Sequence, residues 1–487
     1  MYNWIVVIGG VFSFIAAMGI GANDVANAFA TSIGSKALKM NQAIVLATVF
    51  ETSGAILMGS HVTKTIRKGI ADYECFENDP GSLMYGCMWV CFSVGAWLFI
   101  ASKYEMPVST THSCVGGMIG MTVALKGINC VTWYEPKDSF PFVGGVSGIV
   151  LSWVISPIFS AMISSVLYAT VRALILRHEN SFNRTSFLFP VMIGSTVTLN
   201  PFFIIYKGAK GIGLDEMSLA NASLISVGIG AVSGLFIIPL LPLFKKRTLA
   251  RSNSATFDPE EGNSGCAIMK CIAGDNMHEQ IEQDNVVMEI HETAEKFDPN
   301  TEEYFKYLQV FTAICSAFSH GANDVANAIG PFVAIYMISK EGEVSETNEP
   351  NSNTSLMILS LGGLGISIGL IIYGYKIIKA IGLKICKITP SRGALIEMTS
   401  AIVIITGSRL EIPLSTTHCQ VGATIGVASL ENTRKCSGLN RSVLVKTFFG
   451  WIATLIVVGG TTALLTAQGA HAPEVGAHCP SFLNITS

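Results

Sequence analysis

The sequence is poor in charged residues and has no paired cysteine motif. Only 13% of its 487 residues are charged, whereas soluble domains carry about 25%. Its 12 cysteines include no Cys-x-x-Cys pair, so the sequence indicates no zinc or redox motif. The net charge of −3 is too small to indicate a nucleic-acid partner. No basic region or small-residue cleavage site precedes the first polar break, so we interpret the chain from Trp4 onward as a membrane span, not a signal peptide.

Apolar residues are abundant and make up half of the chain. Several apolar stretches reach the ~20 residues that cross the hydrocarbon core of a bilayer. The sequence therefore predicts an all-α polytopic membrane protein with about twelve transmembrane helices. The predicted crossings are 4–34, 42–60, 84–102, 105–127, 141–170, 185–206, 220–244, 305–338, 356–375, 392–410, 413–430 and 447–466, and 4–34 and 305–338 are predicted to be broken.

Two polar segments each occur twice. The octapeptide Gly-Ala-Asn-Asp-Val-Ala-Asn-Ala occupies 21–28 and 321–328, and the segment Glu-x-Pro-x-Ser-Thr-Thr-His occupies 105–112 and 411–418. The octapeptides start in the first and the eighth predicted crossing, and an odd separation gives them opposite orientations. The sequence thus predicts an inverted-topology repeat whose broken or re-entrant helices carry the motifs, an architecture found among secondary transporters.

The repeats define the predicted organisation of the chain. A long polar stretch joins the halves, and its composition predicts a flexible linker, with a regulatory or docking role left open. The predicted parts are the first repeat at 1–130, additional transmembrane helices at 140–244, the polar loop at 245–303, the second repeat at 304–430, the last transmembrane helix at 444–466 and a tail at 467–487.

Basic loops predict the orientation in the membrane. With twelve crossings, four basic stretches fall on one side, and the positive-inside rule makes that side cytoplasmic. These stretches are 172–184, 245–251, 376–392 and 434–446. The polar loop is then cytoplasmic and both termini lie outside, most simply at a plasma membrane. The loop with Lys64, Arg67 and Lys68 is an exception, because it is placed outside.

The octapeptide predicts a cation site. Glycine and Asx residues in mid-span favour a helix break, and broken backbone at membrane depth is tolerated only beside a cavity or under protein. A buried Asp is costly unless Na⁺ or a proton accompanies it. The candidate cation ligands are Asp24, Asn27, Asp324 and Asn327. The alternative is that the amides join helices and that Asp24 forms a salt bridge.

The Ser-Thr-Thr-His segment predicts an anion site. Proline followed by a Ser/Thr cluster and an apolar run indicates a helix start, with Ser109 or Thr110 as N-cap. The free N–H groups and positive dipole end of such a start attract anions. The segment has no Lys or Arg, so it could release an oxyanion such as phosphate. The candidate phosphate-binding residues are Ser109, Thr110, Thr111, Ser415, Thr416 and Thr417, with Asn23 and Asn323. The alternative is an ordinary capped helix at the membrane edge.

Other polar residues also lie inside predicted spans. Glu51 and Glu397 are functional candidates because intramembrane carboxylates are rare. Glu397 lies 18 residues before Ser415, and Cys91 occupies the matching position in the first half, so the glutamates have unequal roles. His112 and His418 are left open between a structural role and proton binding.

With these segments in hand, the chain resembles the inorganic phosphate transporter family, the sodium–phosphate symporters. The resemblance covers nearly all predicted spans of both halves. It implies Na⁺- or H⁺-driven phosphate uptake by alternating access, often as a homodimer, with no cofactor besides the coupling ion. It also ties Asp24, Asp324, Glu51 and Glu397 to transport, which places both glutamates among the Na⁺ candidates. The pairs Asn23-Asp24 and Phe50-Glu51 are similar to those of the sodium-coupled eukaryotic type.

The predicted function is Na⁺-coupled symport of inorganic phosphate. Three alternatives are an H⁺-coupled phosphate permease, a sulfate permease and a phosphate sensor without flux. An enzyme is not expected. An intramembrane aspartyl protease needs two carboxylates that share a proton, and it has no use for twin Ser-Thr-Thr-His segments.

Overall fold

The fold is a bundle of helices, and the computed structural model describes residues 3–24, 26–138, 141–206, 217–254, 285–345, 349–374, 385–431 and 438–470. The α-helices are α1 Asn3–Asn23, α2 Ala26–Gly34, α3 Met40–Met58, α4 Ser60–Lys68, α5 Pro80–Lys103, α6 Thr110–Lys126, α7 Gly145–Val171, α8 Ser181–Ile205, α9 Leu219–Ile237, α10 Leu241–Ser254, α11 Asn285–Thr293, α12 Pro299–Glu341, α13 Ser352–Gly369, α14 Pro390–Arg409, α15 Thr416–Ser429 and α16 Arg441–Ala470. The 3₁₀ turns are Glu74–Phe76, Ile128–Cys130 and Ile238–Leu240, and π-helical turns at Arg172–Leu176 and Leu370–Gly374 extend α7 and α13. Two short antiparallel strands, β1 Glu135–Pro136 and β2 Val143–Gly144, precede α7.

The polytopic all-α class is confirmed, but fewer helices than predicted are long and apolar enough to cross a membrane. Within the described ranges there are 8: Asn3–Gly34, Met40–Met58, Pro80–Lys103, Gly145–Leu176, Ser181–Ile205, Leu219–Arg251, Ser352–Gly374 and Arg441–Ala470. The other four predicted crossings became α6, α12, α14 and α15. Helices α6 and α15 have 17 and 14 residues, too few for a core about 30 Å thick. Helices α12 and α14 are long enough but bury many polar residues.

The two octapeptides have different backbones. At the first copy α1 ends at Asn23 and α2 begins at Ala26, so the predicted break is present. The second copy lies within α12, a continuous helix of 43 residues, so the break predicted in 305–338 is wrong. Asx residues disfavour helix when their side chains compete for nearby backbone groups. Asn323 donates its amide to Leu414 O at 2.9 Å and Asn23 donates to Met106 O at 3.0 Å, both outside their own helices, so the two copies differ in backbone although their first asparagines make equivalent contacts.

Two helical hairpins carry the Ser-Thr-Thr-His segments. Helices α5 and α6 form one hairpin, and α14 and α15 form the other. In each turn a glutamate has a positive φ, 56° at Glu105 and 58° at Glu411, which is uncommon for a residue other than glycine. Ser109 Oγ donates to Ser415 Oγ at 2.9 Å. The two Ser-Thr-Thr-His segments therefore meet.

Helix α7 connects two opposite faces of the bundle. Near its start, Val146 N donates to Thr132 O at 2.9 Å, and near its end the Tyr168 hydroxyl donates to Glu431 at 2.7 Å. Its 27 residues extend about 40 Å, more than the hydrocarbon core. The disulfide Cys75–Cys130 marks the first face, which we call the disulfide face. Glu295, from the polar stretch at 245–303, contacts Glu431 on the other face. We call that stretch the polar segment and this face the polar-segment face.

The predicted polar loop at 245–303 contains helical structure. Helix α10 continues to Ser254, α11 spans Asn285–Thr293, and α12 begins at Pro299. Asp298 caps α12 by accepting a hydrogen bond from Thr301 N at 2.8 Å. Residues 255–284 of this loop and 471–487 of the predicted tail lie outside the described residues.

Candidate functional site

The starts of α6 and α15 point at each other. Ser109 is the N-cap of α6 and accepts a hydrogen bond from His112 N at 3.3 Å. Ser415 caps α15 in the same way and accepts from His418 N at 3.3 Å. The first N–H groups of a helix have no partner within the helix and carry its positive partial charge. Because the two caps are in contact, both positive ends lie at one place, where an anion can bind.

The octapeptide aspartates lie at these helix starts. Asp24 accepts hydrogen bonds from Thr110 Oγ1 at 2.8 Å and from Thr417 Oγ1 at 3.1 Å, so it bridges both segments. Asp324 accepts from Thr416 Oγ1 at 3.4 Å. The two aspartates are 1% and 3% exposed. The structure thus brings together the predicted cation and anion ligands in a buried position.

Two asparagines cross between the halves. Asn27 Nδ2 donates to Thr417 Oγ1 at 3.0 Å and also to Asp24. Asn327 Nδ2 donates to Thr110 and Thr111 at 3.2 and 3.3 Å. The Oδ1 atoms of both asparagines are buried and have no hydrogen-bond partner among the described residues. These amide oxygens are available to a bound cation.

Asn23 and Asn323 hold the hairpin turns. Asn23 Nδ2 donates to Ser102 Oγ at 3.1 Å and Met106 O at 3.0 Å, and its Oδ1 accepts from Val108 N at 3.1 Å. Its side chain is therefore occupied within the protein. The predicted contact of Asn23 with phosphate remains a prediction.

The second half repeats this arrangement with Asn323. Ser408 Oγ donates to Asn323 Oδ1 at 3.4 Å. The amide nitrogen of Asn323 donates in turn to Leu414 O in the hairpin turn. We did not predict Ser102 or Ser408. Their signal is present in the sequence, because Ser-Lys-Tyr-Glu and Ser-Arg-Leu-Glu extend the duplicated segment upstream from its glutamates.

Glu51 adds a third carboxylate near the aspartates. It is buried in α3, and its Oε1 has no hydrogen-bond partner within the described part of the chain. The charges of Glu51, Asp24 and Asp324 are close enough to interact. Gly321 packs against Glu51 O so tightly that a Cβ would overlap it. Like charges in a buried site repel strongly, so bound cations or protons are needed to offset them.

The donor set suits a hard cation. Over the described ranges, no group of three or more His, Cys, Asp or Glu side chains forms a metal site. A cation here would instead be held by carboxylate, amide and hydroxyl oxygens, the ligand class of hard ions.

Glu397 lies in a separate polar pocket. It is fully buried in α14, and its carboxylate accepts hydrogen bonds from four side chains. The donors are Thr31, Ser32 at 2.6 Å, Thr312 at 2.8 Å and Gln309 at 3.4 Å. Thr31 is one turn along α2 from Asn27, so this pocket neighbours the Asp24 site without forming part of it. No sequence motif indicates these four donors.

The two histidines are parts of an aromatic stack. The ring of His112 lies 3.7 Å from that of Trp153, and the ring of His418 lies 3.6 Å from that of Trp451. The histidine rings are 4.8 Å apart, and His418 Nδ1 contacts Trp153 O at 2.9 Å. These contacts support a structural role behind the helix starts. Proton binding remains a prediction, and the tryptophans were not predicted.

A cavity of about 460 Å³ approaches the site from the disulfide face. Glu411 and Pro413 line it, and Pro413 is two residues before Ser415. The cavity therefore reaches the turn of the α14–α15 hairpin.

Comparisons with known proteins identify the family. The sequence model of the phosphate transporter family matches residues 20–462. A putative phosphate permease of Haemophilus influenzae is 32% identical over 93% of this chain and 94% of that protein. Sodium-dependent phosphate transporter 1 of Mus musculus is 24% identical over 95% of each chain.

A solved structure shares the fold. It is described as the sodium-dependent phosphate transporter, and its TM-score is 0.76 at 30% identity over 96% of this chain and 100% of that one. The family and these relatives are transporters and permeases, not enzymes. The chain belongs to the phosphate transporter family.

Proposed function

We propose that the protein is a Na⁺-coupled symporter of inorganic phosphate that works by alternating access. The observation that carries the proposal is the meeting of two capped helix starts, at Ser109 and Ser415, beside Asp24 and Asp324. This arrangement offers an anion site and cation sites within one buried volume.

Phosphate suits the anion site. Its four oxygens can accept hydrogen bonds from the threonine hydroxyls of both segments and from the N–H groups of both helix starts. No Lys or Arg belongs to either segment, so the ligand is held by dipoles and hydroxyls that also permit release. Asp24 and Asp324 can accept a hydrogen bond from a P–OH group. Sulfate carries no such proton at neutral pH, which favours phosphate.

Sodium suits the cation sites. Asp24 contacts Asn27, and its charge is close enough to interact with those of Asp324 and Glu51, while the amide oxygens of Asn27 and Asn327 are buried with no hydrogen-bond partner among the described residues. Bound Na⁺ would offset the cost of these carboxylates in the membrane interior. Glu397 is proposed as a further Na⁺ ligand in its own pocket. The sodium dependence named for the solved relative supports this choice of coupling ion.

Paired contacts support a symmetric mechanism. Asn23 with Ser102 and Asn323 with Ser408 are equivalent by position, and each pair holds one hairpin turn. Hairpins that meet at their turns and come from opposite faces fit an inverted repeat, which allows the same site to open to either side. Membership of the family also makes a homodimer part of the proposal.

The disulfide supports an orientation. Disulfides persist in oxidising surroundings, so the face that holds Cys75–Cys130 is proposed to lie outside the cell. The polar-segment face is then cytoplasmic. Termini outside the cell and a plasma membrane location belong to the same proposal.

Uptake of radiolabelled phosphate into proteoliposomes tests the function. We expect uptake that stops when choline replaces Na⁺ at fixed pH, and that stops in the Asp24→Asn variant although the protein is incorporated normally. Unchanged uptake in choline, with a response to a pH gradient, would identify H⁺ as the coupling ion. Phosphate binding without any flux would indicate a sensor.

A further inference from the structure

A buried ion pair closes the base of the α14–α15 hairpin. Arg392, at the start of α14, contacts Glu431, just after α15, and both Nε and Nη2 lie 2.8 Å from Glu431 Oε1. The side chains are 1% and 5% exposed. Separating a buried pair is unfavourable because each charge is then left without its partner. The two ends of this hairpin are thus held together on the polar-segment face.

The ion pair also fixes the hairpin to α7. The Tyr168 hydroxyl donates to Glu431 Oε1 at 2.7 Å, and Arg392 Nε donates to the same hydroxyl at 3.2 Å. Helix α7 packs along α15, where Pro157 leaves no room for a side chain at Gly422. Movement of the hairpin relative to α7 therefore requires these bonds to break.

The end of the polar segment completes the network. Glu295 N donates to Glu431 Oε2 at 2.9 Å, and Arg392 Nη2 donates to Glu295 O at 2.8 Å. The Glu295 carboxylate accepts two hydrogen bonds from Arg177, at 2.8 and 2.9 Å. The Arg177 hydrogen bonds are the main cause that lowers the pKa of Glu295, so this carboxylate stays ionised at neutral pH.

Among the residues that the structure describes, the α5–α6 hairpin has no matching network. Measured from the Ser-Thr-Thr-His segments, Gly86 and Leu125 occupy the positions of Arg392 and Glu431, and neither has a charged side chain. Near that base Lys126 contacts Asp79 at 3.1 Å in a partly exposed pair that joins the hairpin to itself. The buried network is specific to the hairpin that carries Ser415.

We propose that Arg392, Glu431, Tyr168 and Glu295 form a latch that keeps the site closed toward the polar-segment face. Helix α15 of this hairpin begins with Thr416 and Thr417, which belong to the site. When the latch opens, the α14–α15 hairpin can move and expose the site on the polar-segment face. These are positioning residues, because they act on the ligand through the hairpin. The backbone bonds of Glu295 make the polar segment part of the latch. The inference rests on the proposed alternating access.

Cys386 provides a native reporter of the latch. It is 3% exposed and lines, with Arg392 and Glu431, a void of only about 10 Å³. Its alkylation by a membrane-impermeant maleimide, applied from the polar-segment face, should be slow while the latch is closed. A Cys386→Ser variant measures labelling at the other cysteines, which is subtracted.

Two variants weaken the latch without changing its size. Tyr168→Phe removes one hydroxyl, and Glu431→Gln removes one charge. We expect each to speed Cys386 alkylation about threefold or more, since a latch that opens more often populates the open state more. The matched control Asp79→Asn, at the base of the other hairpin, should leave the rate unchanged.

Transport kinetics separate a latch from a general loss of structure. The latch variants should raise the KM for external phosphate about threefold while Vmax is kept or rises, because the population that faces outward is smaller. Tyr168→Phe and Glu431→Gln proteins that reach the membrane at normal amounts, yet show unchanged alkylation, would overturn the proposal. Alkylation needs no phosphate flux, so it tests the latch even if the proposed transport activity were wrong.

Discussion

The pocket around Glu397 and the equivalent region around Cys91 differ sharply in polarity. Both residues lie 18 positions before the serine cap of their hairpin. Glu397 is surrounded by hydroxyl and amide donors. Cys91 belongs to the apolar core and has its thiol 3.8 Å from Ala328 O. Equivalent positions in the two repeats thus have opposite chemistry.

The residues around Glu397 also differ from their equivalents in the other half. Matched by their distance from the octapeptides, the four donors to Glu397 correspond to apolar or small residues in the other half. Thr31, Ser32, Gln309 and Thr312 correspond to Pro331, Phe332, Gly9 and Phe12. The residue behind Gln309 differs as well. Ser35 donates to Gln309 at 2.6 Å, whereas the equivalent residue Ile335 packs on Gly9, the equivalent of Gln309. A whole pocket, not one residue, distinguishes the halves.

Glu51 shows the same kind of inequality. Thr52 and Ser367 face each other across α3 and α13 at 2.7 Å. Gly321 packs on Glu51 as Gly21 packs on Ile366, so Ile366 is the counterpart of Glu51. Glu397 and Glu51 therefore each correspond to an apolar residue in the other half, Cys91 and Ile366, while the aspartates and serine caps occur in pairs. The aspartates and serine caps, which occur in both halves, suit a symmetric anion. Glu51 and Glu397, which occur in one half each, suit cations that are held by residues without a counterpart in the other half.

The largest contrast is expected between Glu397→Gln and Cys91→Ser. On the proposed mechanism, Glu397→Gln should lower phosphate uptake in the presence of Na⁺ about 100-fold, because four side chains donate to this carboxylate and an amide group cannot accept all of their hydrogen bonds. Cys91→Ser, in the apolar region, should change uptake by less than about twofold. Initial rates at matched protein incorporation measure both. Equal effects of the two substitutions would remove the distinction between the regions.

The next contrast compares Glu51→Gln with Ile366→Val. Glu51→Gln keeps the shape but removes a candidate Na⁺ ligand, so the Na⁺ concentration for half-maximal uptake should rise about 10-fold or more. Ile366→Val should leave it within about twofold. The measurement is uptake against Na⁺ concentration at saturating phosphate. A Na⁺ response that Glu51→Gln leaves unchanged would contradict a role in cation binding.

A smaller effect is expected from the donors to Glu397. Thr312→Val removes one hydrogen bond and should weaken apparent Na⁺ affinity about 10-fold, as is typical for side chains that orient a ligand. Phe12→Leu at the equivalent position should have no effect on Na⁺ affinity. If Phe12→Leu changes the Na⁺ response as much as Thr312→Val does, the pocket has no special relation to sodium.

The smallest effects should be equal in the two halves. Ser102→Ala and Ser408→Ala each remove one hydrogen bond that holds a hairpin turn, worth about 1 kcal/mol, or about fivefold in uptake. Because the centre is paired, the two variants should agree within about twofold. Thermal stability measured in detergent provides the control for misfolding. A large difference between them would show that the turns are unequal too.

Local chemistry made the centre predictable from the sequence. Ser109 as a candidate cap, the break near Asn23 and the pairing of the two motif types follow from short-range preferences and from the duplication. The continuity of α12 was not predictable, because the same octapeptide is broken in one half and helical in the other, although Asn23 and Asn323 both donate to carbonyl groups outside their own helices. The pocket of Glu397 was missed because its donors come from α2 and α12, far apart in the chain.

Cross-linking of the two serine caps tests the central claim most directly. In a Ser109→Cys/Ser415→Cys double variant, the side chains that now lie 2.9 Å apart should form a disulfide on mild oxidation, while neither single variant should. Saturating phosphate with Na⁺ should slow this reaction several-fold, and sulfate should not. Absence of the cross-link in the double variant, or a rate that phosphate leaves unchanged, would contradict a shared anion site between the helix starts.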